Sequence, residues 1–456
     1  MSANSKIADA VTAVVTVGDE ILMLHRNPAL HAFAGFEAFP GGQVDPDDER
    51  PSVLALPAGG DILPAHVNAM ARELREETGC DLPSLADSGE LEEFSEIGYA
   101  LTPAFVRRRF SAWFYRIRLS RKPTLQVDAA EHTGTGWASA ADWLQRYEQG
   151  ALLLAPPTRF ALQELAANPH VRALGRLDSI ARAPKGLTLS EITVVRGVTI
   201  IMVRSNTLPP AQYTNCFLIG NGGPGAPRLL VDPSPCDDAE LERLATQTAG
   251  RFDAIFITHH HPDHHERADK LARRCRVPVW LSADTHRRIA GFHPRFFEGL
   301  SVRELADGEV VTRWLDHPVR VLAVPGHDAG QLALIPDNRA WCLVGDLIQG
   351  IGTVVIQAPE GDMARYFATL EKVIALRPRV IFPSHGFPLG GTHYLQAALD
   401  HRRLRERQIL ELSRDGADED EILTRIYATT PPPLLPYARL NIRSHLAKLR
   451  AEHALA

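Results

Sequence analysis

Cysteine is scarce in this chain of 456 residues, and the few cysteines form no recognisable pattern. They are scattered and odd in number, and no two of them make a CxxC pair. This distribution argues against a disulfide framework and against a zinc site built from cysteine. The five are Cys80, Cys216, Cys236, Cys275 and Cys342.

Long apolar runs are also missing. No uninterrupted apolar segment approaches the roughly 20 residues that a membrane-spanning helix needs. The first ten residues contain one lysine and no apolar core of the kind found in secretory signals. We therefore expect a cytoplasmic protein without a membrane partner.

An excess of positive charge is absent as well. The formal net charge is −6, which argues against a chain that coats nucleic acid along its whole surface. Apolar residues make up 45% and charged residues 23%, as in folded globular proteins. Because 456 residues exceed one ordinary hydrophobic core, we expect two or three domains.

Histidine, by contrast, is concentrated in one segment, THHHPDHH at residues 258–265. The segment follows the strand-like run 254–257, so it is predicted to form the loop at the end of a strand. Neutral imidazoles and carboxylates are good ligands for zinc. In a compact loop His259 and His261 can point at one ion, while Asp263 and His264 turn toward a second.

Three later segments can supply further ligands to the same site. His327 stands in VPGHD, Asp346 in LVGD and His385 in FPSHG. Each follows strand-like residues and has a neighbouring glycine that permits a tight turn. The aspartate is placed to bridge two ions.

The HxHxDH motif with a later His, Asp and His resembles the metallo-β-lactamase superfamily. That resemblance implies an αββα sandwich over residues 192–399, with two Zn2+ ions, or Mn2+ or Fe2+ in their place. Asp346 would bridge the two ions, and Asp263 would orient the attacking water or take its proton. The resemblance assigns one metal to His259, His261 and His327 and the other to Asp263, His264 and His385.

A second group of acidic residues lies in the first half of the chain, in RELREETG at residues 72–79. On a helix Glu73, Glu76 and Glu77 share one face. Grouped carboxylates repel each other unless a cation binds, and hard oxygen ligands suit Mg2+ or Mn2+. A glycine-rich segment, FPGG at residues 39–42, precedes this helix.

These two segments resemble the box of Nudix hydrolases. The long insertion between them is similar to the branch that cleaves the diphosphate of coenzyme A, as are the segments MLHRN at 23–27, TP at 102–103 with RF at 109–110, and LAPP at 154–157. The resemblance covers about residues 10–165 and implies an α/β/α sandwich for the predicted domain 1–182, which a linker at 183–191 follows. It makes Glu73, Glu76 and Glu77 ligands of Mg2+ or Mn2+, with Glu76 and Glu77 catalytic. The spacer before the helix is unusually long, and Asp48 is the nearest match to the box's first glutamate.

The last segment, residues 400–456, is predicted to be helical, with a break at the three prolines 431–433. It resembles the winged-helix-like tail of a β-lactamase-like branch that includes endoribonucleases and thioesterases. Residues 401–456 hold ten Lys and Arg and eight Asp and Glu, so their net charge is +2. That charge is too small to identify a nucleic-acid surface by itself.

The patterns favour an enzyme, a metal-dependent hydrolase that acts on a thioester or ester such as an acyl-CoA. A Nudix diphosphatase reaction would accompany it, and the substrate would be a small molecule such as a coenzyme A derivative. One alternative is an endoribonuclease whose partner is single-stranded RNA. Another is a ligand sensor that binds without catalysis.

Overall fold

The computed structural model describes residues 7–30, 33–54, 62–102, 109–181, 191–453 and 455. It divides into two compact units, Met1–Leu187 with Val194–Arg196, and Thr188–Thr193 with Gly197–Ala456. The predicted linker lies outside the described residues except for Glu191, which begins a strand. The domain boundaries given above therefore stay predictions.

The first unit is built on one mixed sheet. Its strand order is β3-β2-β1-β5-β4, and β6 also pairs with β2. The central strands β1 and β5 are parallel. The strands are β1 (Ala8–Val17), β2 (Glu20–Arg26), β3 (Glu37–Ala38), β4 (Leu91–Leu101), β5 (Phe110–Leu119) and β6 (His132–Ser139).

Helices cover both faces of this sheet. Alternate residues of β1 point to opposite sides: Val11 and Val15 pack in the same cluster as Leu74, and Val14 packs with Trp143. The unit is thus an α/β/α sandwich, as predicted. Its helices are α1 (Pro64–Thr78), α2 (Leu82–Asp87), α3 (Ala140–Glu148), α4 (Pro156–Ala167) and α5 (Gly175–Ala181).

Helix α1 carries the acidic residues of the first unit. It has proline in its first turn, where no intrahelical hydrogen bond is lost. It ends at Gly79, whose φ of 71° lies in the left-handed region and whose N–H bonds the carbonyls of Leu74 and Arg75. The helix that the sequence predicts around the grouped glutamates is therefore observed.

The second unit contains two sheets that pack face to face. One has the order β13-β12-β11-β10-β9-β8-β7, and the other β14-β15-β16-β17-β18-β19. Aromatic contacts join the sheets, as between Phe217 and Phe382. The strands are β7 (Glu191–Val195), β8 (Val198–Arg204), β9 (Tyr213–Ile219), β10 (Leu229–Val231), β11 (Ala254–Phe256), β12 (Val279–Leu281), β13 (Val302–Glu304), β14 (Val310–Trp314), β15 (His317–Ala323), β16 (Leu332–Pro336), β17 (Cys342–Gly345), β18 (Val380–Pro383) and β19 (Leu389–Gly390).

Helices lie on the outer face of each sheet, which confirms the αββα arrangement. Leu244 and Leu271 pack on the first sheet, and Leu370 and Leu395 pack on the second. The helices are α6 (Asp238–Thr248), α7 (Pro262–His265), α8 (Ala268–Cys275), α9 (Ala283–Phe292), α10 (Met363–Leu376), α11 (His393–Arg414), α12 (Glu419–Ile426) and α13 (Leu435–Ala451).

The chain's last helices form a small core of their own. Ile409 of α11, Ile422 of α12 and Ile442 of α13 are buried together. Between 393 and 453 the described residues are helical or in turns, with a short 3-10 turn at Pro432–Leu434 and no β-strand. The predicted boundary at residue 400 falls inside α11. None of the described helices has both the length and the apolar character required to cross a bilayer.

Candidate metal centres

The ligand loop of the second unit lies between the end of β11 and α7. Asp232, which directly follows β10 and is fully buried, fixes this loop through hydrogen bonds. Asp232 accepts hydrogen bonds from the Thr258 backbone N–H at 2.8 Å, from the Thr258 hydroxyl at 2.7 Å and from His264 Nδ1 at 2.8 Å. Because β10 and β11 are parallel neighbours, their carboxyl ends meet at one edge of the sheet. The charge on Asp232 thus holds both the loop and one imidazole.

Three imidazoles converge on one point above this loop. His261 Nδ1 lies 3.0 Å from His259 Nε2 and 3.0 Å from His327 Nε2. Two nitrogens bound to one ion at roughly 2.0–2.1 Å lie about 2.9–3.4 Å apart. The observed spacing therefore fits three ligands of a single ion.

Asp263, His264 and His385 form a second triad beside the first. His385 Nε2 lies 3.4 Å from Asp263 Oδ2, and His264 Nε2 lies 3.7 Å from Asp263 Oδ1. The Asp263 carbonyl accepts hydrogen bonds from the hydroxyls of Thr214 and Ser234, which fix the backbone at this residue. The structure therefore brings together the ligand set that the sequence predicted for the second ion.

Asp346 faces both triads, one with each carboxylate oxygen. Its Oδ1 lies 3.7 Å from His264 Nε2 and 3.5 Å from His385 Nε2, while its Oδ2 lies 3.8 Å from His327 Nε2. All seven predicted ligands of the second unit are thus grouped, with the aspartate in the bridging place.

Two buried polar atoms in this group have no hydrogen-bond partner, namely His264 Nε2 and Asp346 Oδ1. Leaving such atoms unpaired costs about 1–3 kcal/mol each. Five imidazoles and two carboxylates with unpaired atoms facing inward are the donor set that divalent metal ions require. The residues present therefore fit two such ions.

The electrostatic environment keeps the first triad ready to bind a cation. Burial, together with the neighbouring imidazoles, lowers the pKa of His261 to about 3 and that of His259 well below its usual value. Neutral imidazole is the form that binds metal. Around the second triad burial opposes protonation, but the nearby carboxylates outweigh it and raise the pKa values of His264 and His385.

Backbone carbonyls orient the ligand imidazoles that come from the second sheet. His385 Nδ1 donates to the Tyr213 carbonyl at 2.9 Å, and His327 Nδ1 donates to the Val355 carbonyl at 2.8 Å. Each bond places the proton on Nδ1 and turns Nε2 toward the metal site, which is how outer residues usually fix metal-binding histidines.

The tail helices hold the segment that orients His327. Asn441 Oδ1 accepts from the Ile356 N–H at 2.9 Å, and the Ser444 hydroxyl donates to the Ile356 carbonyl at 2.7 Å. The buried guanidinium of Arg402 donates to the Val354 carbonyl on the other side of Val355. Side chains of α11 and α13 thus fix the backbone whose carbonyl orients a metal ligand.

The sequence did not identify Arg402, Asn441 and Ser444 as residues that support the site. It also did not identify the polar residues that lie next to the ligands. His260 contacts Asp328 through Nδ1 at 2.5 Å and lies 3.7 Å from Glu360. The ring of Phe292, which is 68% exposed, stacks on His260. The adjacency of Asp328 to His327 was the one available signal, because the other contacts depend on the fold.

In the first unit Arg72 is the centre of the polar network on α1. Its guanidinium donates to Asp48 at 2.9 Å, to Glu73 at 2.8 Å and to Glu76 at 3.2 Å. Asp48 is 1% exposed, so the residue proposed as the nearest match to the box's first glutamate is buried against this arginine. This geometry lets Arg72 orient the carboxylates of Glu73 and Glu76.

Glu77 is the most deeply buried of the three glutamates of α1. It is 3% exposed, and its Oε2 accepts a hydrogen bond from the Gly41 N–H at 2.8 Å. Burial raises its pKa to about 8. Of the described residues, those grouped closely with Glu77 do not include Glu73 or Glu76. A joint metal site of all three glutamates therefore stays a prediction.

Comparison with known families matches three parts of the chain. The model of the metallo-beta-lactamase superfamily matches residues 209–385, that of the NUDIX domain matches 6–153, and that of the beta-lactamase associated winged helix domain matches 419–453. The predicted order of domains is thereby confirmed.

Relatives that match the chain bear names from the same superfamily. A "Beta-lactamase-like protein 2 homolog" of Drosophila melanogaster is 31% identical over 54% of this chain and 84% of its own length. A "Hydroxyacylglutathione hydrolase" of Acidiphilium cryptum is 28% identical over 56% of this chain and 96% of its own. An "Atrochrysone carboxyl ACP thioesterase" of Aspergillus fumigatus is 28% identical over 44% and 59%.

The fold, the grouped side chains of the two triads and the family matches all indicate the same family. The chain belongs to the metallo-beta-lactamase superfamily and carries a Nudix domain before the metallo-beta-lactamase domain. It is therefore a hydrolase that binds divalent metal ions.

Proposed function

We propose that the histidine centre hydrolyses the thioester bond of a small acyl thioester such as an acyl-CoA, with Zn2+ as its metal and Mn2+ or Fe2+ as the other candidates. The observation that carries the proposal is the placement of Asp346, one oxygen toward each triad. Together with the two triads, Asp346 would hold two divalent ions, which would supply the Lewis acidity that hydrolysis of an acyl bond requires.

Each residue of the centre would have a defined role in thioester hydrolysis. When bound, divalent ions lower the pKa of water and polarise a carbonyl oxygen. The two triads and Asp346 hold the ions, and the side chain of Asp263 accepts a hydrogen bond from the attacking water and so orients it. Water oxygen bonds to the thioester carbonyl carbon, the C–S bond breaks and the sulfur takes a proton. The products are a carboxylic acid and a thiol.

Two observations favour a thioester over RNA. Among the relatives, one is named a thioesterase and another a hydroxyacylglutathione hydrolase, and an acylglutathione is itself a thioester. In addition, several cationic side chains of the tail are neutralised within the chain: Arg439 and Arg443 both pair with Glu419, and Arg403 pairs with Glu371. Paired arginines offer less charge to a phosphate backbone.

A second reaction at the Nudix domain, cleavage of a diphosphate with Mg2+ or Mn2+, is part of the same proposal. The network of Arg72 supports it because this network holds Glu73 and Glu76 beside the glycine-rich segment. The double variant Glu76→Gln with Glu77→Gln should lose metal-dependent diphosphate cleavage. Undiminished cleavage by that variant would place the reaction elsewhere.

The thioester reaction is tested by following thiol release from a short-chain acyl-CoA with the full-length chain. The double variant His259→Ala with His261→Ala should lose this activity, since it removes two of three ligands of one ion. Its diphosphate cleavage should be unchanged. The exposed His170, in the first unit, provides the control variant His170→Ala. Full thiol release by the double variant would show that the ligand assignment is wrong.

Salt dependence separates the thioester proposal from the RNA alternative. Thioester turnover should change little between 50 and 200 mM salt, whereas cleavage of a single-stranded oligonucleotide should weaken steeply because phosphate contacts release counterions. Metal binding without turnover of either substrate would instead support the sensor alternative.

A further inference from the structure

The buried carboxylate of Glu77 has a histidine beside it that the Nudix box does not contain. His132 is the first residue of β6, and its Nε2 lies 3.6 Å from Glu77 Oε1. The preceding residue, Glu131, reaches the same place: one ligand atom from each of the three residues lies within 4.8 Å of the others. Two carboxylates and one imidazole therefore meet at the C-terminal end of α1.

The backbone builds this meeting point. The carbonyls of Glu77 and Thr78, at the end of α1, accept hydrogen bonds from the N–H groups of Asp128 and Gln126. The carbonyl of Asp128 accepts hydrogen bonds from the N–H groups of Glu131 and His132. The loop before β6 is thus tied to α1, so the position of the imidazole next to the carboxylate follows from the fold.

A purely structural role does not account for the unmet hydrogen-bonding capacity of the His132 imidazole. His132 is 2% exposed, and its Nδ1 has no hydrogen-bond partner among the residues that the structure describes. The 3.6 Å between its Nε2 and Glu77 Oε1 exceeds hydrogen-bonding distance. Buried polar groups are normally paired, and an unpaired one costs about 1–3 kcal/mol. A histidine placed in this way needs another explanation.

The distance fits two ligands of one ion. Ligand atoms at roughly 2.1 Å from a metal, separated by angles of about 90–120°, lie about 3.0–3.6 Å apart. We propose that Glu77, Glu131 and His132 form a binding site for a first-row divalent transition-metal ion, separate from the histidine centre of the second unit and from the outer carboxylates Glu73 and Glu76. Imidazole favours such ions over Mg2+, which prefers oxygen ligands.

Mn2+ binding to the full-length chain tests this site with a readout that does not depend on activity. The background variant His259→Ala with His264→Ala removes one ligand from each triad of the second unit. Substoichiometric Mn2+ is then added, and the bound ion is examined by pulsed electron paramagnetic resonance for coupling to an imidazole nitrogen. Free Mn2+ is quantified by its solution signal, and Mg2+ competes for the same site.

In this background we expect nitrogen coupling to the bound Mn2+ and at least tenfold weaker displacement by Mg2+ than by Mn2+. His132→Gln should abolish the nitrogen coupling and weaken Mn2+ binding at least tenfold. Glu131→Gln should also weaken binding, and because Glu131 is exposed this variant should keep its fold. The control His170→Gln should change nothing.

Nitrogen coupling that persists in His132→Gln would overturn the proposal, because the bound ion would then have another histidine ligand. Should His132→Gln fail to fold, the exposed variant Glu131→Gln decides the question, and an unchanged Mn2+ affinity there would overturn the three-residue set. Displacement of Mn2+ by an equal concentration of Mg2+ would contradict an imidazole ligand.

Discussion

Replacing Asp232 by asparagine should weaken metal binding at a residue that itself touches no metal. Its Oδ1 accepts a hydrogen bond from the Thr258 N–H, while its Oδ2 accepts hydrogen bonds from the Thr258 hydroxyl and from His264 Nδ1. Asparagine has the same shape but only one acceptor oxygen, so it can keep the first bond and loses the other two. The imidazole of His264 then loses the partner that turns Nε2 toward the site.

The magnitude follows from the burial of the group. Asp232 and His264 are both fully buried, and removing one partner of a buried charged pair costs about 3–5 kcal/mol. For a domain of this size that lowers the thermal midpoint by roughly 6–20 °C. Loss of a residue that orients a metal-binding histidine typically lowers metal affinity about 10–100-fold.

The assay measures zinc affinity by competition with a chromophoric chelator and records the thermal midpoint of the metal-free chain. Asp337→Asn is the matched control, since Asp337 pairs with Arg320 at the surface of the same unit and such pairs contribute about 0–1 kcal/mol. Zinc affinity in Asp232→Asn within twofold of the parent chain would refute the reasoning that Asp232 organises the ligand loop.

The remaining predictions concern the tail. Asn441→Ala with Ser444→Ala should lower zinc affinity several-fold and reduce kcat more than KM, because the segment that orients His327 loses its support; equal zinc release rates would contradict this. The pKa of Glu406 is lowered by its bonds to His445 and Lys448, which outweigh burial. Its stabilising effect is therefore full above its unfolded pKa and is lost as pH falls through the lower folded value. The thermal midpoint of Glu406→Gln should lie below that of the parent at pH 7, and the gap should close as the pH falls through the lowered folded pKa of Glu406; a gap independent of pH would show that the charge is not the cause.

Local patterns were enough to predict the order of domains and which histidines and aspartates the second unit brings together. The segment around His259 is dense in one residue type, and His327, Asp346 and His385 each follow an apolar strand and adjoin a glycine or proline turn. Such signals are short-range, so they survive without knowledge of the fold.

The supporting contacts could not be predicted in the same way. His327 depends on a backbone carbonyl at residue 355, which is held by side chains about 85 residues further along the chain. Carbonyl partners carry no residue-type signal, and contacts at this separation are set by the packing of α13 on α10 and α11. The proximity of Glu77 and His132 was missed for the same reason, since hydrogen bonds between the loop before β6 and the end of α1 bring them together.

Product analysis of an acyl-CoA incubated with the full-length chain in ¹⁸O-labelled water tests the central claim most directly. The account predicts free CoA and a carboxylic acid that carries one ¹⁸O atom, with both products lost in His259→Ala with His261→Ala. An intact thioester after prolonged incubation with Zn2+, together with cleavage of a single-stranded oligonucleotide by the same preparation, would contradict it.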